Sequence, residues 1–258
     1  ATEFIWHKIS ELDKRIQEEW LERWNRGVFL VTPEQMQRTK IQRKIGPFIV
    51  RLTPHEKKLR KMDWADMPVT LNLPLNPDRF NFGKIKPEEI LIEGIKLAGR
   101  NWKVAINGSP TEEFASLLIP EVLSNQFLFE EDIAALIEYL SLTKAAVLYN
   151  SLWAGASVNS KHFQIYYSSM YIFDFIDRAD LKWSKYGKIS VADLEYYPGN
   201  IFTIKGTNIQ QMVSALWIAI NYLQERNIPF EIIAKGNVIV VIPTGKEGPS
   251  IFKGAPWG

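Results

Sequence analysis

The sequence predicts an α+β protein in which one unit of secondary structure occurs twice. Apolar side chains recur at helical spacing over residues 130–142, and again over a segment that begins after Asn208. Each predicted helix is preceded by a short apolar strand, at 117–119 in the first copy and at 200–204 in the second. Each is also followed by two predicted strands, which are 145–149 and 161–167 in the first copy and 230–234 and 238–242 in the second. This repeated order predicts two similar halves.

A predicted amphipathic helix lies near the start of the chain. Ser10 begins the capping box Ser-Glu-Leu-Asp, and Gly27 supplies a stop. The apolar stripe between them consists of Leu12, Ile16, Trp20 and Trp24. Because such a stripe usually faces the core, we expect the tryptophans to be packed inside rather than to mark a partner surface.

Turn signals separate the remaining elements. Prolines and asparagines between Pro68 and Pro77 indicate a loop, and residues 107–110 indicate a turn after a strand at 102–106. The last two predicted strands are joined by a hairpin turn at Gly236. Strands and helices therefore alternate in short segments, as in a mixed fold.

Composition excludes several classes of protein. Hydrophobic residues make up 46% of the 258-residue chain, enough for a sizeable core, and a net charge of +2 argues against nucleic acid or an anionic membrane as a partner. Cysteine is absent, so that no thiolate metal site exists, and three histidines, His7, His55 and His162, are too few to predict a metal centre. No apolar run is long enough to span a bilayer and no signal pattern occurs. We therefore expect a cytoplasmic protein with no metal and no other cofactor.

The candidate site lies on the predicted strand that closes the first copy. Alternation puts Ser160, His162, Gln164 and Tyr166 on one face of this strand and Lys161 on the other. A neutral imidazole can attack phosphorus and leave again, while a glutamine amide can hydrogen-bond phosphoryl oxygens. The pair suits nucleotidyl transfer, although a lone histidine on a strand is more often a packed core residue.

Residues in and around this strand resemble the signature of a known family. Asn150-Ser-Leu, Asn159, His162-Phe-Gln and Tyr166-Tyr167 are similar to the Asn-Ser-Leu-Gly, Asn-His-Leu-His-Phe-Gln and Tyr-Tyr motifs of the GDP-hexose phosphorylases. This family belongs to the histidine-triad/galactose-1-phosphate uridylyltransferase superfamily. Further matches, in the family's order, include Phe80-Asn-Phe, Asn107 with Ser109-Pro110, Leu117-Leu-Ile-Pro and Asn227-Ile-Pro-Phe. The resemblance extends from about Trp20 to Pro243.

This resemblance implies a fold of two histidine-triad-like half units that form one antiparallel sheet flanked by helices. It implies a core at 100–258, with halves at 100–170 and 171–258, and an N-terminal helix and extension at 1–99 that pack on the core. Together these parts are expected to form one compact domain. A homodimer is expected because superfamily members commonly pair and because the edges of an antiparallel sheet need cover.

The resemblance also implies roles for individual residues. His162 would attack the α-phosphorus of a GDP-sugar or a related nucleotide, and Gln164 would hold the α-phosphate oxygens. Further hydrogen bonds to the substrate would come from two segments, Asn150, Ser151, Asn159, Ser160 and Tyr166 around the strand, and Asn81 and Lys84 upstream of it.

Departures from the family pattern leave three hypotheses open. At the motif strand, Ser160 stands where the family has histidine, and Lys161 stands where it has an apolar residue. Upstream, Phe114-Ala115 replaces the family's Gly-His. In the loop before the strand, Trp153 stands where the family has glycine, and Gly155 stands where it has a larger residue. The leading hypothesis is a diverged phosphorylase that keeps His162 as its nucleophile. The alternatives are a repurposed member that uses His162 as a general acid or base on a non-nucleotide secondary metabolite, and a non-catalytic relative that binds a nucleotide or a partner.

Overall fold

The structure is a computed structural model, which describes residues 10–39, 42–45, 48–51, 70–178, 181–193 and 201–245. The N-terminal part contains α1 (Glu11–Asn25), α2 (Pro33–Thr39), β1 (Gln42–Ile45) and β2 (Phe48–Arg51). Strands β1 and β2 form a small antiparallel sheet of their own. Two 3-10 turns, Phe82–Lys84 and Pro87–Glu89, then lead into the main sheet.

The main sheet is built from two sets of five strands, each with a long helix before its last two strands. The first set contains β3 (Ile90–Leu97), β4 (Arg100–Ile106), β5 (Ser116–Pro120), α3 (Glu130–Leu142), β6 (Ala146–Asn150) and β7 (Phe163–Tyr166). The second set follows a short helix, α4 (Tyr171–Arg178), and contains β8 (Ser184–Tyr186), β9 (Ile189–Asp193), β10 (Phe202–Gly206), α5 (Ile209–Glu225), β11 (Phe230–Lys235) and β12 (Val238–Pro243).

The strand order shows the internal duplication directly. From edge to edge the ten strands run β3-β4-β5-β7-β6-β11-β12-β10-β9-β8, and every pair is antiparallel. Outward from the central β6–β11 pair, each half repeats the same order of hairpin, third strand and outer hairpin. The predicted α+β fold with a duplicated antiparallel sheet is therefore confirmed, and helices α3 and α5 occupy equivalent places in the two halves.

Two strands differ from their prediction for identifiable reasons. Strand β3 lies within the range assigned to the N-terminal extension, yet it pairs with β4 in the main sheet; Gly94 has a positive φ of 70° and the register shifts twice, which disturbs the period-two pattern. Strand β7 begins at Phe163 rather than at residue 161. The backbone N–H groups of Lys161 and His162 donate to Ser124 O and to the Gln126 side chain instead of to a neighbouring strand. The division of the chain at residue 99 stays a prediction.

Helix α1 begins and packs as its sequence predicts. The Ser10 hydroxyl accepts a hydrogen bond from the Asp13 N–H at 3.1 Å, which completes a capping box. Trp20 is 1% exposed and stacks on Trp24 at a centroid distance of 5.3 Å, so the tryptophan stripe belongs to the core. The buried Asp13 carboxylate also accepts hydrogen bonds from Tyr167 Oη and Lys144 N, and these bonds attach α1 to the first half.

One row of paired residues defines the sheet face that carries the candidate site. Leu117, Gln164, Leu148, Ile233 and Val240 lie side by side across five strands and therefore point to the same face. The large core that includes residues of α1, α3 and α5 covers the opposite face. On the site's own face, a cluster around Phe82 covers the first half and a cluster around α4 covers the second.

Candidate active site

His162 is held in one tautomer at the start of β7. Its side chain is 7% exposed, and its Nδ1 lies 2.9 Å from the backbone oxygen of Ser160. Because a carbonyl oxygen can only accept, the proton sits on Nδ1 and the lone pair sits on Nε2. Burial lowers the pKa of His162 below 6.5, and the hydrogen bond to Ser160 partly opposes this. The imidazole is therefore neutral near pH 7 with Nε2 unprotonated, which is the form that a nucleophile or base requires.

Gln126 clamps the backbone of His162 from a remote segment. Its Oε1 accepts from His162 N at 3.1 Å, and its Nε2 donates to the oxygens of His162 and Asn150 at 3.3 Å and 3.0 Å. The side chain is 1% exposed. Sequence reasoning missed this residue because a single glutamine in a loop belongs to no motif, and only the fold brings it beside the histidine.

Gln164 belongs to a chain of hydrogen-bonded side chains on the site's face. Its Nε2 donates to Asn150 Oδ1 at 3.1 Å, and its Oε1 accepts from Tyr166 Oη at 2.7 Å. Asn150 Nδ2 donates to Ala154 O at 2.7 Å and to Glu231 Oε1 at 3.1 Å. The structure thus brings together three predicted residues and adds Glu231, which the sequence had not indicated.

Lys161 points to the opposite face, as strand alternation predicts. It forms a buried ion pair with Asp132, whose other carboxylate oxygen accepts from Arg100 Nη2 at 2.8 Å. Its ammonium group also lies 4.9 Å from the centre of the Phe129 ring. Burial lowers the pKa of Lys161, while the nearby Asp132 carboxylate opposes that shift. Lys161 is thus a buried structural cation behind the site and does not replace the family's second imidazole.

Three of the predicted substrate ligands form hydrogen bonds to backbone groups in this structure. Asn159 accepts from Gln126 N at 3.0 Å and donates to the oxygens of Leu73 and Pro74, both at 3.0 Å. The Ser160 hydroxyl accepts from Phe82 N at 3.3 Å. The Ser151 hydroxyl accepts from Phe230 N at 2.9 Å and donates to Leu152 O at 3.0 Å. These groups fix the loop between β6 and β7.

In the upstream segment, an aromatic residue lies between the two predicted residues and contacts His162. Asn81 is buried and caps a 3-10 turn by accepting from Gly83 N at 3.0 Å. Lys84 is exposed, and its ammonium donates to Asp78 O at 3.1 Å. Between them, the Phe82 ring lies 5.0 Å from the His162 imidazole, centre to centre. The segment therefore forms an aromatic wall against the histidine.

The substituted loop positions keep an unusual backbone. Trp153 and Phe114 both have positive φ angles, 66° and 64°, a region that favours glycine, and the family pattern has glycine at both positions. The Trp153 indole donates to Thr70 O at 3.3 Å and is 3% exposed. Gly155 has φ 90°, and a Cβ there would lie 3.2 Å from Asn150 Nδ2. The loop thus keeps a glycine-like backbone while a tryptophan fills the adjacent space.

The described part of the chain contains neither a cluster of metal ligands nor a helix that could cross a membrane. Within those residues no group of three His, Cys, Asp or Glu side chains is arranged to hold a metal ion. His7 and His55 lie outside the described residues. No described helix is long and apolar enough to cross a membrane.

A family profile described as "GDPGP1-like, N-terminal domain" matches residues 11–166, which include α1, the first half of the sheet and every predicted site residue. The chain belongs to this family. Its predicted resemblance to the GDP-hexose phosphorylases is thereby confirmed.

Relatives in this family are similar at low identity over most of the chain. GDP-L-galactose phosphorylase 2 of Arabidopsis thaliana is 28% identical over 269 aligned residues, which cover 91% of this chain and 60% of the relative. GDP-D-glucose phosphorylase 1 of Danio rerio is 28% identical over 224 residues, covering 85% of this chain and 64% of the relative. The chain therefore spans about 60% of the length of these relatives.

Solved structures confirm the fold. The crystal structure of yeast Ap4A phosphorylase Apa2 in complex with Ap4A has a TM-score of 0.63 at 15% identity, covering 92% of this chain and 82% of that one. Another structure of the same yeast protein has a TM-score of 0.62 at 14% identity, with the same coverage. At this identity the likeness concerns architecture alone, and it establishes the histidine-triad-like fold.

Proposed function

We propose that this protein is a nucleotidyltransferase of the nucleotide-sugar phosphorylase type and that His162 is its nucleophile. The observation that carries the proposal is the imidazole geometry, in which Nδ1 is bound to Ser160 O at 2.9 Å and Nε2 is left unprotonated. Burial supports the same role because it lowers the pKa of His162 and keeps the ring neutral. The relatives named GDP-L-galactose and GDP-D-glucose phosphorylases favour a GDP-hexose as the substrate class.

In the first step His162 Nε2 attacks the α-phosphorus of the nucleotide sugar. The new N–P bond forms as the bond from the α-phosphorus to the bridging oxygen breaks, and sugar 1-phosphate leaves with that electron pair. The Nδ1 proton stays on the ring, where Ser160 O stabilises the positive charge that develops. In the second step inorganic phosphate attacks the same phosphorus, releases the imidazole and departs as GDP.

Neighbouring side chains support the transferring group in this proposal. Gln164 donates to an α-phosphate oxygen, and Asn150 and Tyr166 hold the Gln164 amide in place. The Phe82 ring packs beside the imidazole. Predicted contacts from Asn81 and Lys84 to more distant parts of the substrate also belong to the proposal.

Ser160 sets an expected limit on the rate. The family pattern has histidine here, whereas the Ser160 hydroxyl accepts from Phe82 N and carries no positive charge. Loss of a positioned general acid typically lowers a rate by about 10²–10⁴-fold. We therefore expect slow turnover. The reaction does not depend entirely on a general acid, because its leaving group, the sugar 1-phosphate, is already a stable anion.

Intact-protein mass spectrometry tests the proposal. The protein is incubated with GDP-hexoses, and separately with other nucleotide sugars, without phosphate. We expect the mass of the wild-type protein to increase by one nucleoside monophosphate, and we expect added phosphate to remove this adduct. Neither His162→Ala nor His162→Gln should form it. Failure of the wild-type protein to form any adduct with any of these nucleotides would contradict the proposal.

A homodimer is the second part of the proposal. Among the described residues the sheet ends at β3 and β8, and all three residues of β8 are exposed, so that no described strand covers this edge. Sedimentation velocity of the wild-type chain should show a species of twice the monomer mass. A single monomeric species across the micromolar range would contradict this part alone.

A further inference from the structure

The second half of the molecule contributes a carboxylate to the candidate site. Glu231 lies on β11 directly opposite Asn150 on β6, in the central strand pair that joins the two halves. Its Oε1 accepts from Asn150 Nδ2 at 3.1 Å, and Asn150 Oδ1 in turn accepts from Gln164 Nε2 at 3.1 Å. On the other side of Gln164, the Tyr166 hydroxyl donates to Gln164 Oε1 at 2.7 Å. One continuous hydrogen-bond chain therefore crosses β11, β6 and β7.

The direction of this hydrogen-bond chain is set by the acceptors that face Asn150 Nδ2. A side-chain amide can turn by 180° and exchange its donor and its acceptor. Asn150 cannot do so here because both groups facing its Nδ2, the Glu231 carboxylate and Ala154 O, only accept. Its oxygen must then face Gln164, so Gln164 must present its nitrogen to Asn150 and its oxygen to Tyr166.

This direction leaves Gln164 with an N–H group that it can offer to a ligand. Its oxygen is occupied by the Tyr166 hydroxyl, and one of its two N–H groups is occupied by Asn150. Within the described part of the chain, the second N–H has no acceptor and remains for a ligand. A phosphoryl oxygen is such an acceptor, and the Tyr166 hydroxyl already engages one of the two lone pairs on the Gln164 oxygen.

We propose that Glu231 and Tyr166 are positioning residues that together fix Gln164 as an N–H donor to the phosphoryl group attacked by His162. The inference rests on the proposed function for its ligand, while the hydrogen-bond chain itself does not. A carboxylate is suited to this task because hydrogen bonds to a charged acceptor are roughly twice as strong as neutral ones. The second half, which contains no histidine, thus supplies the carboxylate that orients the Gln164 amide in the first half.

A double-mutant cycle on the adduct-forming step tests the coupling between the two ends. Tyr166→Phe and Glu231→Leu are each expected to slow the single-turnover formation of the His162 adduct at saturating nucleotide by about 3- to 30-fold. Glu231→Gln keeps an acceptor oxygen and is expected to restore part of that loss. The double variant should be slower than either single variant by much less than the product of their effects, because both act through the same amide.

Matched control variants remove the same groups elsewhere on the sheet. Tyr186→Phe alters an exposed tyrosine on β8, and Glu93→Leu alters an exposed glutamate on β3. Neither substitution should change the rate of adduct formation. If the effects of Tyr166→Phe and Glu231→Leu simply multiply, or if neither slows the reaction, the positioning role is wrong.

An NMR measurement decides the hydrogen-bond chain independently of activity. The Gln164 Nε2 proton resonances are followed in the nitrogen-labelled protein and in the same variants. Glu231→Leu should shift these resonances although Glu231 does not touch Gln164, because the effect passes through Asn150. If the resonances move with Tyr166→Phe but not with Glu231→Leu, the inference fails. A shift without any nucleotide adduct would instead support the chain and contradict the proposed function.

Discussion

The two halves of the sheet share a strand order but differ at the turn that follows their first inner strand. In the second half β11 and β12 are joined by Gly236 and Asn237 alone. In the first half β6 and β7 are separated by residues 151–162, and the loop ends in His162. The scaffold is therefore repeated, whereas the long loop that carries His162 occurs in only one copy.

The halves also differ in what they bury. Buried polar side chains in the first half include Asp132, Asn150, Lys161 and His162, whereas those in the described residues after position 170 are Thr203 and Gln224. Strand β12 is almost entirely apolar at its centre. A polar network can hold a reactive group in one orientation, but each buried polar atom needs a partner. The comparison indicates that the first half is specialised for the site and that the second half mainly supplies core and the Glu231 anchor.

Removing a buried cation from the first half should have the largest effect. Lys161→Met leaves the Asp132 carboxylate buried with Arg100 as its one remaining cationic partner among the described residues, and breaking a buried pair typically costs about 3–5 kcal/mol. Lys235→Met, at a half-buried lysine on β11, should change the free energy of unfolding by less than about 0.5 kcal/mol. Urea denaturation of both variants measures the difference. Equal small effects would show that the pair behind the site is not structurally important.

Two buried glutamines offer a matched test of position against stability. Gln126 clamps the N–H and C=O groups of His162, and Gln224 clamps those of Leu128 at 3.0 Å each. Replacing either with leucine leaves buried backbone groups unpaired and should destabilise the fold by about 1–3 kcal/mol. Only Gln126→Leu should also slow formation of the His162 adduct. A similar loss of adduct rate in both variants would mean that Gln126 acts through stability alone.

The second half should tolerate loss of a buried polar atom. Thr203 is fully buried and its hydroxyl has no hydrogen-bond partner in the described structure. Thr203→Val removes this unpaired group at nearly constant shape and should stabilise the protein by about 1 kcal/mol. Ser116→Val provides the contrast in the first half, because the Ser116 hydroxyl donates to Phe114 O at 2.8 Å. Thermal denaturation should move in opposite directions, and a destabilised Thr203→Val would contradict the contrast.

The smallest expected effect is a pH dependence that belongs to His162. Burial lowers its pKa in the folded state below 6.5, so the unfolded state binds more protons once the pH falls below that value. The stability contributed by the neutral ring is therefore complete above pH 6.5 and is lost as the pH falls towards the folded-state pKa. Its slope cannot exceed about 1.4 kcal/mol per pH unit. Unfolding free energies between about pH 7.5 and 5 should fall more steeply for wild type than for His162→Gln, and parallel curves would contradict this assignment.

Much of the fold could be predicted because its signals are local. Apolar periodicity and capping residues predict helices α1, α3 and α5, and a turn sequence predicts the β11–β12 hairpin. Helix α4 was missed because Tyr-Ile-Phe-Asp-Phe-Ile is rich in aromatic and β-branched residues, which also suit a strand. Strand β3 was missed because a bulge interrupts its alternation.

Part of the candidate site could likewise be predicted from local sequence, and part of it could not. Alternation along one strand was enough to separate Gln164 and Tyr166 from Lys161, because side chains in a strand point to opposite faces by geometry. The identity of the partners was not available to that argument. Gln126 lies 36 residues from His162, and Glu231 lies 81 residues from Asn150.

The sequence by itself thus determined the repeated elements, the face of the strand and the candidate nucleophile, since each depends on residues close together in the chain. Only the three-dimensional structure decided the tautomer of His162, the clamp by Gln126 and the direction of the Gln164 amide. The tautomer depends on the local backbone conformation that places Ser160 O beside the ring, whereas the clamp and the amide direction depend on donors and acceptors that the fold brings within about 3 Å. A hydrogen bond between remote segments leaves no periodic trace in the chain, and so only the packed sheet could reveal it.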